Sequence, residues 1–172
     1  MPTDAEMTFA DHAGRFYVRR YGMAPVVGRL LGYLMICDPL EQSITELADA
    51  LLASRSAISG AVKALEQLGL VRRFRAAGER MDRVGIDLTS QRTMGFDPTE
   101  YQEQADLARE GLALLADAPP ERRVVLLQYE AFADWLTSRM PAWEKEWQAH
   151  RDALHAAGKL PGPADSDAKE KK

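Results

Sequence analysis

The sequence predicts a mainly α-helical protein with one small β-hairpin: a winged helix-turn-helix domain joined to a helical dimerisation arm. Three observations carry that prediction. Two short helices, opened by Ser43 and Ser54, lie almost end to end. Two strand-like segments, 70–75 and 81–88, follow directly with Gly78 between them. Beyond Pro98, apolar residues recur at spacings of four and three, the seam of paired helices. The expected organisation is an N-terminal helix over 1–22 contributing to a dimer core, the winged helix-turn-helix over 23–90, a helical dimerisation region over 91–158, and a disordered tail over 159–172.

Residues 5–20 read as a helix because Phe9, Ala13, Phe16 and Tyr17 fall on one stripe. Gly22 suits its C-terminal cap, and Pro25 suits the first turn of the next helix. That second helix, running to about Cys37, is mostly apolar and is expected to be buried on several sides. Asp38-Pro39 breaks the chain. Ser43-Ile44-Thr45-Glu46 then has the capping-box pattern, with Leu47, Ala48, Leu51 and Leu52 as the apolar side of a short helix. Ser54 opens the following helix, Arg55 to about Leu68, and Gly69 ends it.

In the hairpin, Val84, Ile86 and Leu88 alternate as a half-buried strand does, and residues 89–97 read as a linker. Tyr101, Ala105, Ala108, Leu112 and Leu115 then define a helical seam, widened by Leu107, Gly111 and Leu114. Asp117-Ala118-Pro119-Pro120 interrupts it, and a second stripe runs from Val125 through Tyr129, Leu136 and Trp147 to Leu154. Pro141 falls inside this stripe without changing its phase, which implies a kinked continuation or a break that keeps direction. Residues after about Gly158 have the composition of a disordered tail.

Composition limits what such a chain does. With 172 residues and 46% hydrophobic content it can bury a real core. No apolar run reaches the roughly 18 residues of a membrane span, and no basic-then-apolar leader precedes Asp4, Glu6 and Asp11, so a cytoplasmic location is expected. One cysteine, Cys37, excludes an internal disulfide and a cysteine zinc cluster; a buried thiol is expected there. His12, His150 and His155 are scattered, and no glycine-rich phosphate loop is present. Neither an enzyme, a cofactor nor a metal site is expected.

The net charge of −4 hides an asymmetry. Between Ser54 and Arg83 seven basic residues face three acidic ones, so this stretch carries +4 and the remainder −8. A basic patch on an acidic body attracts phosphate locally and repels it elsewhere, which points to a nucleic-acid partner.

Within that stretch, Ile58, Ala61, Val62, Leu65 and Leu68 share one side of the second short helix. The opposite arc holds Arg55, Ser56, Ser59, Gly60, Lys63, Glu66 and Gln67, with no large apolar group. Arg55, Ser56, Ser59 and Lys63 are therefore the candidate DNA contacts, since recognition helices read base edges from their first turns. Among the hairpin arginines, Arg75, Arg80 and Arg83 lie nearest the tip and are candidates for phosphate or the minor groove; Arg72 and Arg73 flank them. A plain solvated surface is the competing reading for both groups. Tyr129, Phe132, Trp135, Trp143 and Trp147 either fill a dimer core or hold an organic cation or hydrophobic compound, with Glu130, Asp134 and Glu144 as acidic neighbours.

Gly22-Met-Ala-Pro-Val-Val-Gly-Arg-Leu-Leu-Gly32, Ser43-Ile-Thr-Glu-Leu-Ala48, Ser54-Arg-Ser-Ala-Ile-Ser59, Leu65-Glu-Gln-Leu-Gly-Leu-Val71 and the arginine-rich hairpin resemble the MarR superfamily of winged-helix regulators. Within it they look most like the branch of the glycine-betaine-synthesis repressor, GbsR. The resemblance implies a homodimer joined by its terminal helices, two recognition helices on a pseudo-palindromic DNA site, and a ligand-responsive repressor; choline is the effector of the named branch. A winged helix used for protein–protein interaction without DNA contact is the alternative function.

Overall fold

The computed structural model describes residues 1–75 and 81–161, in two compact units that divide after Met94. The first unit runs α1 (Asp4–Tyr21), α2 (Pro25–Leu34), β1 (Gln42–Ser43), α3 (Ile44–Leu51), α4 (Arg55–Gln67), β2 (Val71–Phe74), β3 (Arg83–Ile86) and α5 (Gln91–Met94). The second holds α6 (Thr99–Leu114) and α7 (Pro120–Ala156). The hairpin is part of a three-stranded antiparallel sheet ordered β1-β3-β2. Its registers are Gln42 opposite Val84 and Val71 opposite Ile86. The third strand is too short to leave a sequence signal, and α5 replaces part of the linker expected over 89–97. The turn expected at Gly78, and nearly all of the tail expected over 159–172, lie outside the described residues.

The core of the first unit is where α2, α3, α4 and the sheet converge. Leu30, Leu47, Leu51, Ile58, Val62, Leu65 and Val84 are fully buried there, each stabilising the fold by about 1.5–3 kcal/mol. The capping signals hold as read: Ser43 accepts from the Glu46 amide while Glu46 accepts from the Ser43 amide, and Ser54 accepts from Ala57. The Ser43 amide and hydroxyl, with Arg83 nearby, keep the Glu46 carboxyl below the usual carboxylate range. A further capping box, Thr3 with Glu6, opens α1.

Two apolar assignments at the ends of α3 and α4 need correction. Leu52 does not extend the apolar side of α3; it takes a left-handed φ of 51° at the turn into α4 and is 85% exposed. Leu68 likewise stands outside the core at 45% exposure, because α4 ends at Gln67 and the stripe stops with it.

Helix α1 packs on α2 through Ala10, Gly14 and the Ala13–Tyr17 part of the expected stripe. Ala10 and Gly14 are buried, whereas Phe9 and Phe16 remain 43% and 45% exposed. A Cβ added to Gly28 would lie 2.9 Å from Tyr17 Cβ, and one added to Gly32 would lie 2.3 Å from Ala13 Cβ. The two helices thus approach so closely that side chains at these positions do not fit. Arg29 fastens the pair, its Nε donating to Asp11 Oδ1 at 2.5 Å and its Nη1 to the Leu51 carbonyl at 2.8 Å.

In the second unit α6 and α7 form an antiparallel hairpin. Arg109 on α6 donates to Glu130 Oε1 at 2.9 Å and Asp134 Oδ1 at 2.5 Å on α7, while Gly111 faces Leu126. Ala105, Ala108, Ala133 and Met140 are buried between the two helices, whereas Leu107 and Leu114 of the widened stripe are exposed. Helix α7 continues through Pro141 as one element, so the chain does not break there. No helix among the described residues is long and apolar enough to cross a membrane.

Candidate nucleic-acid interface

Helix α4 buries one side. Ile58, Ala61, Val62 and Leu65 have at most 2% exposure, which fixes the helix against α2 and α3. Arg55, Ser56, Ser59, Gly60, Lys63 and Gln67 consequently face outward, and all six are exposed. The first turn of α4 contains no acidic residue, so the positive end of the helix dipole is uncompensated and Arg55 adds to it. Neither Arg55 nor Lys63 has an ion-pair partner among the described residues. This face is cationic, small and unobstructed by the described part of its own unit.

The hairpin arginines differ from one another. Arg73 reaches back to α4, its Nε 2.9 Å from Glu66 Oε1 and its Nη2 3.3 Å from Oε2, a forked bond joining wing and helix. Arg75 Nε donates to Asp82 Oδ1 at 2.6 Å just beyond the Phe74–Arg83 end of the strand pair, holding that carboxyl below its ordinary range, yet the arginine side chain stays 63% exposed. Arg83 Nη1 donates to the Glu41 carbonyl at 3.1 Å and to Glu46 Oε2 at 3.2 Å, tying β3 to the start of α3. Arg72 lies over the Phe74 ring with its guanidinium carbon 4.4 Å from the centroid. Arg80 lies outside the described residues.

Charge counting along the chain therefore overstates the wing. Arg73, Arg75 and Arg83 each meet a carboxylate of the same unit, whereas Arg55 and Lys63 on α4 meet none among the described residues. Sequence reading also missed two supports of that helix. Glu66, read as part of the polar arc, anchors Arg73; Arg92 donates to the Gln67 carbonyl at 3.3 Å, satisfying an end-of-helix acceptor. Contacts across 7 and 25 residues leave no periodic trace in a sequence.

The aromatic residues of α7 are a ladder along one helix. Phe132 and Trp135 have ring centroids 6.2 Å apart, and Trp135 and Trp143 meet edge-on at 6.0 Å. Trp147 instead neighbours His150 at 6.1 Å, and Tyr129 is half exposed. Two of the acidic neighbours expected to draw a cation, Glu130 and Asp134, are already bonded to Arg109. Among the described residues no group of three or more His, Cys, Asp or Glu stands where it could hold a metal ion. Burial pushes the Cys37 thiol up to about 11, away from the reactive thiolate.

Comparison with known proteins finds similarity along both units. A model described as the MarR family matches residues 21–80, and one described as an MmpR5-like MarR family transcriptional regulator matches residues 91–150. The HTH-type transcriptional regulator MmpR5 of Mycobacterium tuberculosis is 38% identical over 122 residues, which span 67% of this chain and 70% of that protein. A crystal structure described as that of a transcriptional regulator superposes with a TM-score of 0.77 at 30% identity, covering 84% of this chain and 99% of the other.

Proposed function

The chain belongs to the MarR family of winged-helix transcriptional regulators, with MmpR5-like relatives, and from that premise we propose that it represses genes as a homodimer whose two α4 helices enter successive major grooves. The observation that carries the reading is the outward face of α4, where Arg55 and Lys63 stand without ion pairs beside Ser56 and Ser59. Arginine bonds guanine bidentately and serine serves as donor or acceptor, so these residues are assigned to base edges and adjoining phosphates. Arg75 and Arg80 are assigned to phosphate at the wing. Arg83 comes last in that ranking, because its bonds to Glu41 and Glu46 already give it a structural task. A winged helix serving only protein–protein contact gives no reason for that cationic face.

Exposed apolar residues support the dimer. Phe9 and Phe16 on α1, Leu107 and Leu114 on α6, and Val125 and Phe132 on α7 are each at least 43% exposed, more apolar surface than lone helices leave uncovered. On this reading 1–22 and 91–158 supply the partner surface and 23–90 the DNA surface. The aromatic ladder Tyr129, Phe132, Trp135, Trp143 and Trp147 is assigned first to the dimer core and second to an effector, an organic cation or hydrophobic compound. Choline enters as one such cation through the resemblance to the GbsR branch.

Binding of duplex DNA titrated against salt tests the proposal. Log affinity is expected to fall linearly with log salt, each phosphate contact contributing a slope of about −0.9. Affinity that stays flat with salt contradicts it. Repeating the titration with choline, and with a hydrophobic amine, reads the effector class from a shift in affinity.

A further inference from the structure

We propose that Gly60 is the point of closest approach between α4 and DNA, and that it sets base preference there because it lacks a side chain. The inference rests on the reading of α4 as the DNA-facing helix. A glycine inside a helix is destabilising relative to alanine, so its presence needs a cause. The other helical glycines have one within the chain. A Cβ added at Gly14, Gly28, Gly32 or Gly111 would lie 3.3, 2.9, 2.3 or 2.8 Å from a neighbouring element. Gly85 in β3 is confined by Phe74 and Glu41, and the remaining described glycines adopt left-handed φ angles. Gly60 has neither reason: its φ is not left-handed, and a Cβ there would meet nothing within 4 Å among the described residues.

The cause therefore lies outside the described chain, on the face Gly60 shares with Ser56 and Lys63, its neighbours one turn before and after. Gly60 is in the N-terminal half of α4, the part of a recognition helix that meets base edges rather than the flanking backbone. A bare Cα between serines and a lysine lets a base edge approach the helix backbone, which an added methyl would hold off.

The test uses a random-sequence duplex library enriched by the wild-type protein, then anisotropy on the enriched duplex and a second enrichment with each variant. Gly60→Ala is expected to raise the thermal midpoint yet weaken binding by about five- to a hundredfold, the span of one disturbed base contact. Its second enrichment is expected to change preference at one or two adjacent positions. Lys63→Ala, by contrast, is expected to weaken all duplexes evenly and lower the salt slope by about 1. Gly60→Ala with wild-type affinity and preference overturns the inference, as does a lowered thermal midpoint, which would give Gly60 an internal role. If the wild-type protein enriches no sequence and ignores salt, the DNA reading itself falls, a result that needs no variant.

Discussion

The double variant Arg55→Ala/Lys63→Ala is expected to bind its preferred duplex about 30- to 1,000-fold more weakly, the equivalent of about 2–4 kcal/mol for one base-reading arginine and one phosphate-bound lysine. The salt slope is expected to fall by about 1–2, as one or two counterions are no longer released. Folding is expected to change by less than about 0.5 kcal/mol, because both side chains are exposed and make no ion pair among the described residues. Loss of affinity without loss of stability separates this face from Arg83, whose removal would strip Glu46 and Glu41 of a partner. Anisotropy at fixed salt, with chemical denaturation alongside, measures both quantities. A change under threefold would move the contact away from α4.

Gly32→Ala is expected to act in the opposite way, destabilising the fold while leaving α4 untouched. The new Cβ would sit 2.3 Å from Ala13 Cβ, far inside contact distance, so α1 and α2 must move apart. Overpacking of this kind costs about 1–3 kcal/mol, offset by up to about 1 kcal/mol of gained helix propensity. For a unit of this size a net loss of 1 kcal/mol lowers the thermal midpoint by about 4–8 °C. Ala13→Gly in the same chain removes the other half of the clash and is expected to restore part of the loss, giving a coupling energy in a double-mutant cycle. Additive effects of the two changes would show that the crossing is looser than described. The same substitution thus has opposite signs at two glycines: Gly60→Ala stabilises and Gly32→Ala destabilises, because one Cβ meets open space and the other meets a neighbouring helix.

Which features were legible in the sequence follows from how local their physics is. The capping box at Ser43 and Glu46, the cap at Ser54, the stop at Gly69 and the buried face of α4 all act within one or two turns. Each appears as spacing. The contacts that distinguish the wing arginines are not local in this way: Arg73 with Glu66, Arg83 with Glu46, and Arg72 over Phe74 depend on how strands lie against helices. Composition alone counted them as equal. The stripe of α1 was legible as a helix but not in its division, since Ala13 and Tyr17 meet α2 together with Ala10 and Gly14 while Phe9 and Phe16 stay exposed. Periodicity reports that a face is apolar; only packing says which side chains are small enough for two helices to touch.

The central claim, that the outer face of α4 meets the major groove, is tested most directly by cleavage from the helix itself. Cys37 is 3% exposed, so Ser59→Cys presents the one accessible thiol among the described residues. Loading that thiol with an iron chelate and activating it on an enriched duplex is expected to cut DNA in two clusters about one helical turn, roughly 10 base pairs, apart. Uncut DNA from this position, with cuts from a chelate placed at Leu107→Cys instead, would contradict the account.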